Sequence, residues 1–430
     1  MLIVFRTSGV LLLGIFLLMT GNGILATLLG IRGDIEGFST QEMAFVMAGY
    51  FAGFLGGSRI TPDLIRRVGH VRVFAALGSL ISAALILFPV FTDPIAWVVL
   101  RVVIGFCFAG VYVTAESWLN NAVPNETRGL AMSFYGVVMM LGFVIAQAMV
   151  AVGDASGFVL FILPSILVSV SFAPILLSVT PAPVFETSRD MTLRDVFRAS
   201  PLGLVGLLLM GGVFSALFGM ASVYGTQAGL NATQVSTFVA AIYLGGMLLQ
   251  GPIGWISDRM DRRKLILMAA LCGGLAAAIG WSGVGGFAGL LVAVFVVGGM
   301  AYPLYALLVA YTNDYLDPED MAAAAGKLVF ANGVGAVGGP FLTAALMDAV
   351  GPAGFFLFIM GQMGLLFAYC LWRMGRRPSV AAEDTGSFAA ISPAASPVAM
   401  VVAQEAAFEA DEEAAAEAAA EAAAEAVASR

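Results

Sequence analysis

The chain has 430 residues, 60% of them hydrophobic and only 11% charged, with a mean hydropathy of +0.95. A water-soluble domain carries roughly 25% charged residues, so this composition excludes an ordinary soluble core and points to lipid as the solvent. The formal charge of −8 says nothing of a ligand, because ten acids and one base follow Ser379 and leave the rest of the chain near neutrality. The apolar runs are long and do not alternate, which excludes a membrane barrel and leaves helices, whose backbones satisfy their own hydrogen bonds.

A membrane crossing needs about 20 apolar residues. Twelve runs of that kind are predicted, over residues 7–30, 39–58, 71–91, 95–119, 129–152, 157–178, 201–224, 233–253, 264–284, 287–312, 322–349 and 353–373. The opening, Met1 to Leu29, holds one early charge, Arg6, and no small-residue cleavage site; it reads as the first span and not as a removable signal. The second run opens with Ser39-Thr40-Gln41-Glu42, a capping-box pattern. Thr92-Asp93-Pro94, Gly153-Asp154-Ala155-Ser156 and Gly351-Pro352 supply turn chemistry between later runs.

Alternate breaks hold the bases, among them Arg59, Arg66, Arg67, Arg72, Arg128, Arg198, Arg259, Arg262, Arg263 and Lys264, with Arg373, Arg376 and Arg377 after the last run; the other breaks hold only Arg32. Positive loops stay inside, so both termini are expected in the cytoplasm. The expected fold is an all-α membrane protein of twelve transmembrane helices: a six-helix bundle over 1–178, a cytoplasmic loop over 179–200, a second bundle over 201–375 and a tail over 376–430. A shift of 192 residues sets Gly33 on Gly225, Gly37 on Gly229, Gly53 on Gly245 and Arg67 on Arg259, the parallel repeat expected of two related halves around a midplane site. The tail is rich in Ala and Glu, with Glu413, Glu417, Glu421 and Glu425 at four-residue spacing. It reads as a solvated helix or as disorder, with a protein-docking role as the alternative.

Two loops carry the strongest pattern. Gly254-Trp255-Ile256-Ser257-Asp258-Arg259 leads into Asp261-Arg262-Arg263-Lys264, and this resembles the signature loop of the major facilitator superfamily, with Asp261 in place of one family glycine. The glycine permits close helix approach, and the acid sits where it can accept from a neighbouring helix N-terminus. The matching stretch of the first half, Pro62 to Arg72, keeps Arg67, Gly69 and Arg72, but has Arg66 where the family has its acid. Arg101 followed by Gly105 is similar to the family's fourth-helix motif. Together with Ala115-Glu116-Ser117-Trp118 and Pro124-Asn125-Glu126-Thr127-Arg128-Gly129, these residues look like a bacterial branch of the family, the YcaD-like permeases.

The resemblance implies a multi-pass permease of the bacterial inner membrane. It would move a small solute by alternating access, with an ion gradient, a proton most simply, as the driver. Helices one, four, seven and ten of the family line the path, which favours Asn22, Arg101, Tyr112, Ser215, Tyr302 and Tyr305. An intramembrane acid is costly and usually functional, so Glu116 is either a proton carrier or one half of a gate with Arg66, Arg67 or Arg72. Gly254, Asp258, Arg259 and Arg262 complete the gating set. Arg101 is either structural, held by backbone carbonyls, or a contact for an anionic solute. His70, the only histidine, reads as a surface residue. Cys107, Cys272 and Cys370 lie in apolar runs and read as small hydrophobes. The partners expected are therefore the solute, the coupling ion and membrane lipids, with no cofactor, no metal and no nucleic acid. No catalytic constellation points to an enzyme. A membrane sensor signalling through the acidic tail is the alternative.

Overall fold

The computed structural model describes residues 2–122, 125–176, 191–376 and 386–403. Among them every long element is helical: α1 (Leu2–Ile35), α2 (Thr40–Val68), α3 (His70–Leu87), α4 (Pro94–Ala122), α5 (Asn125–Val152), α6 (Val159–Leu176), α7 (Leu193–Ala199), α8 (Pro201–Ser215), α9 (Ala221–Gln227), α10 (Ala232–Ser257), α11 (Arg262–Ser282), α12 (Gly286–Asn313), α13 (Pro318–Val350) and α14 (Gly354–Met374). A π-turn over Ala216–Met220 joins α8 to α9, so the two form one crossing, Pro201–Gln227. Eleven such units among the described residues are long and apolar enough to cross a membrane, and Val159–Ala173 of α6 is a shorter apolar helix. Each of the twelve apolar runs read from the sequence overlaps one of these helical units, several of which extend beyond the run.

The 192-residue repeat is visible as geometry. After α1 the Phe38 amide bonds the Gly33 carbonyl and the Gly37 amide bonds that of Asp34; after α9, Leu230 bonds Gly225 and Gly229 bonds Thr226 in the same way. Gly37 and Gly229 both take a left-handed φ, 77° and 78°, which side chains with a Cβ resist. Each turn then enters a capping box, Ser39 with Glu42 on α2 and Asn231 with Gln234 on α10. The paired glycines farther on are packing devices. A Cβ on Gly53 would lie 2.0 Å from the Val102 carbonyl oxygen of α4, and one on Gly245 would lie 1.9 Å from that of Phe295 on α12. Small residues let membrane helices approach to backbone contact, so α2 seats on α4 as α10 seats on α12.

Helices α1–α6 and α8–α14 thus form two groups, which meet along α2 with α13 and α5 with α10. Loops alternate between two ends of the molecule. At the end that holds Arg32, three bonds among the described residues cross between the groups: Gln41 to Asp348 (3.0 Å), Gln227 to Thr40 (2.8 Å) and Thr233 to the Ala151 carbonyl (3.1 Å). At the other end, here called the basic end, a cavity of about 540 Å³ opens between α2 and α13, beside Arg59 and Lys327.

The tail departs from expectation. Residues 386–403 do not lie in solvent: Ile391, Ala395, Ser396, Ala399 and Met400 are all buried. The segment runs irregularly to residue 396 and is helical over 397–403. It can be buried because it carries no charge, between Asp384 and Glu405. The Ala/Glu repeat from Glu405 onward lies outside the described residues, as does most of the stretch assigned to the central loop. His70 is also corrected: it is 4% exposed, because it opens α3 on that helix's inner face.

Candidate substrate path

Midway along the bundle a narrow cavity of about 30 Å³ lies between the two groups. Asn22 of α1, Tyr50, Phe51 and Phe54 of α2, Tyr112 of α4 and Phe143 of α5 line one side; Phe214 of α8, Phe218 of the π-turn and Asn332 of α13 line the other. The aromatics fall at helical spacing, 50 with 54 and 214 with 218, so each pair shares one helix face. Phe218 stands on the π-turn, a form that recurs at functional sites, and its ring lies 5.4 Å from that of Tyr50 across the boundary. Asn22 ties the first group together by donating to the Tyr50 hydroxyl (3.2 Å) and the Tyr112 hydroxyl (3.3 Å).

Arg101 lies behind this wall. It is fully buried, and its guanidinium stacks 4.5 Å above the Tyr50 ring, a contact worth about 2 kcal/mol once desolvated. Its Nη2 reaches only the Met47 sulfur, at 3.9 Å. Among the described residues Nε and Nη1 have no hydrogen-bond partner, nor does Oδ1 of Asn22. The backbone carbonyls expected of a structural arginine are therefore not what holds it; the Tyr50 ring is.

Glu116 is also fully buried, 15 residues farther along α4 towards the basic end. It accepts from the Tyr135 hydroxyl at 2.8 Å and from the Ser396 amide at 3.1 Å. Arg66, Arg67 and Arg72, its expected gate partners, are exposed, and Arg66 pairs with Asp63.

The signature loop also meets the tail. Asp258 accepts from the Phe388 amide at 2.7 Å. A Cβ on Gly254 would lie 2.5 Å from the Phe388 ring, so this glycine makes room for a side chain of the tail. Arg262, 3% exposed, grips Asp314 and the Gly386 carbonyl and bonds Ser257 at 3.2 Å. Burial pushes the Asp314 carboxyl above the ordinary range, against the pull of Arg262. Arg259 instead folds back over Trp255, 4.2 Å from its ring.

The structure therefore gathers Asn22 and Tyr112 at the cavity. Tyr302 and Tyr305 line a small space beside Phe214 and Pro393 of the tail. Ser215 does not line either space: it bonds the Gly212 carbonyl at 3.0 Å and packs against Gly339. Sequence reasoning passes over Tyr50, Phe51, Phe54, Phe143, Phe214 and Phe218, since aromatic residues in apolar runs read as core. The paired spacing on two helices is the one signal that could have raised them.

Residues 11–277 and 227–407 match the model of the Major Facilitator Superfamily. The chain belongs to this family. An uncharacterized MFS-type transporter, YcaD, of Salmonella arizonae is 24% identical over 382 residues, covering 88% of this chain and 98% of that protein. A further uncharacterized MFS-type transporter, from Enterobacter sp. (strain 638), is 23% identical over 377 residues, or 87% and 97%. Among solved structures, the nucleoside transporter NupG superposes with a TM-score of 0.69 at 14% identity, over 88% of this chain and all of that one. The human organic anion transporter MFSD10 gives 0.55 at 15% identity, over 85% and 99%. The family makes this a multi-pass membrane protein that transports a solute, and a transporter rather than an enzyme.

Proposed function

We propose that the chain is a proton-coupled secondary transporter of the bacterial inner membrane. In this reading it has twelve spans and cytoplasmic termini, and it moves a small ring-bearing solute by alternating access. The carrying observation is the aromatic cavity between the two helix groups, sealed towards the Arg32 end by the three crossing bonds. Flat rings stack on aromatic walls, while Asn22 and Asn332 offer a few orienting hydrogen bonds. Arg101 gives the same wall a positive charge behind Tyr50. A nucleoside and an organic anion, the solutes named for the two structural neighbours, each fit this chemistry and head the list to screen.

The test is uptake and efflux in proteoliposomes under an imposed proton gradient. Gradient-driven accumulation of one such solute, lost in Asn22→Ala, is the expected result. Accumulation indifferent to the gradient would overturn proton coupling. Glu116 is the carrier in this reading, so Glu116→Gln should abolish accumulation and spare exchange. Reporter fusions after Arg377 and near Gly153 should report opposite sides of the membrane, and same-side results would overturn the topology.

A further inference from the structure

The path between the two helix groups already has an occupant. Residues 386–403 reach from the signature loop of the second group to Glu116 of the first. At one end Gly386 and Phe388 are held by Arg262 and Asp258, with the Phe388 ring seated on Gly254. Midway, Pro393 lies against Tyr302 and Tyr305, and with Ala394 it forms part of the wall of the central cavity. At the far end the Ser396 amide donates to Glu116, while the Ser396 hydroxyl accepts from the Val398 amide to start the turns over 397–403.

We propose that this segment is an intrachain plug: it fills the path at the basic end and is latched at Glu116 on one side and at Asp258 and Arg262 on the other. The inference rests on reading the central cavity as the solute path.

Three features fit a plug better than a fixed strut. Its residues are Ala, Ser, Pro, Val and Ile with one Gly, one Phe and one Met, and none is charged; such a segment suits a narrow, half-apolar channel. Its anchors are the residues that the sequence marks as gating elements, so holding the segment and moving the helices compete for the same groups. It is also joined to α14 through residues 377–385, so it can leave without any membrane helix leaving.

The plug sets how readily water-soluble reagents reach the cavity, which needs no transport. Asn332, 6% exposed, lines the cavity together with Pro393 and Ala394. The probe is Asn332→Cys, labelled with a water-soluble maleimide in detergent, with the rate counted above that of the chain lacking it. A state open for no more than about a tenth of the time protects at least about tenfold. Truncation after Ser379 should therefore speed labelling about tenfold or more. The second variant keeps the full length: Phe388→Ala with Ser396→Pro removes the seated ring and the amide donor, and should speed labelling in the same direction by a smaller factor. Equal rates in all three chains would overturn the plug. Because the readout is labelling, absence of solute flux would count against the transport reading and leave the plug standing.

Discussion

The two ends of the molecule are closed by different means. At the Arg32 end, side chains of one helix group bond directly to the other, Gln41 to Asp348 and Gln227 to Thr40, and the Phe45 and Phe341 rings meet edge to face at 4.9 Å. At the basic end α2 and α13 still touch, with Arg59 over the Phe330 ring, but α4 is linked to α10 and α11 through the tail. The first closure opens only when the helix groups rock apart. The second opens when one segment is withdrawn. The difference separates what gates by global motion from what gates by release of a local contact.

Glu116→Ala should break that comparison most strongly. It leaves the Tyr135 hydroxyl and the Ser396 amide without their acceptor, at about 1–3 kcal/mol for each buried donor. Labelling of Asn332→Cys should approach the rate of the chain truncated after Ser379, and the thermal midpoint should fall. Glu116→Gln keeps one acceptor oxygen and should fall between.

Gly254→Leu comes next, since its side chain would take the place of the Phe388 ring. Phe388→Ala should partly relieve it, with a coupling of about 0.5–3 kcal/mol in a double-mutant cycle of labelling rates. Strict additivity would contradict the seating of Phe388 on Gly254. Asp258→Asn keeps size but weakens a charge-assisted bond, which is about twice as strong as a neutral one. It should speed labelling several-fold, about 1.4 kcal/mol for each factor of ten, with expression unchanged. The smallest effect belongs to the other end. Gln41→Ala removes one exposed hydrogen bond, worth about 1 kcal/mol at most, and should leave labelling within about twofold. A change as large as that of Glu116→Ala would erase the contrast between the ends.

Much of this was legible in the sequence because lipid makes local rules strict. Every crossing needs a long apolar run, and each run holds a helix. The match of Gly33 and Gly37 to Gly225 and Gly229 is a match of two helix ends. The fourth-helix arginine is buried, as an intramembrane base must be when it faces protein. The cavity was harder to read. Tyr50, Phe214 and Phe218 differ from packing aromatics only through what stands opposite them, and that is set by how two distant helix groups meet. Ser215 lies off the cavity for a local reason, its hydroxyl bonding the Gly212 carbonyl and packing against Gly339. The tail misled through its average composition. Its acids flank an uncharged stretch, and such a stretch is buried only where tertiary structure leaves a gap.

The most direct test is a lock on the tail. Gly254→Cys with Phe388→Cys, in a chain carrying Cys272→Ser, places two thiols where the glycine and the ring now touch; the remaining cysteines, Cys107 and Cys370, are buried. Flux of a transported solute through proteoliposomes is then compared before and after reduction. The account predicts that the oxidised chain carries almost no flux and that reduction restores it. Equal flux in the oxidised and reduced chains, with the disulfide shown to be complete, would contradict a path closed by its own tail.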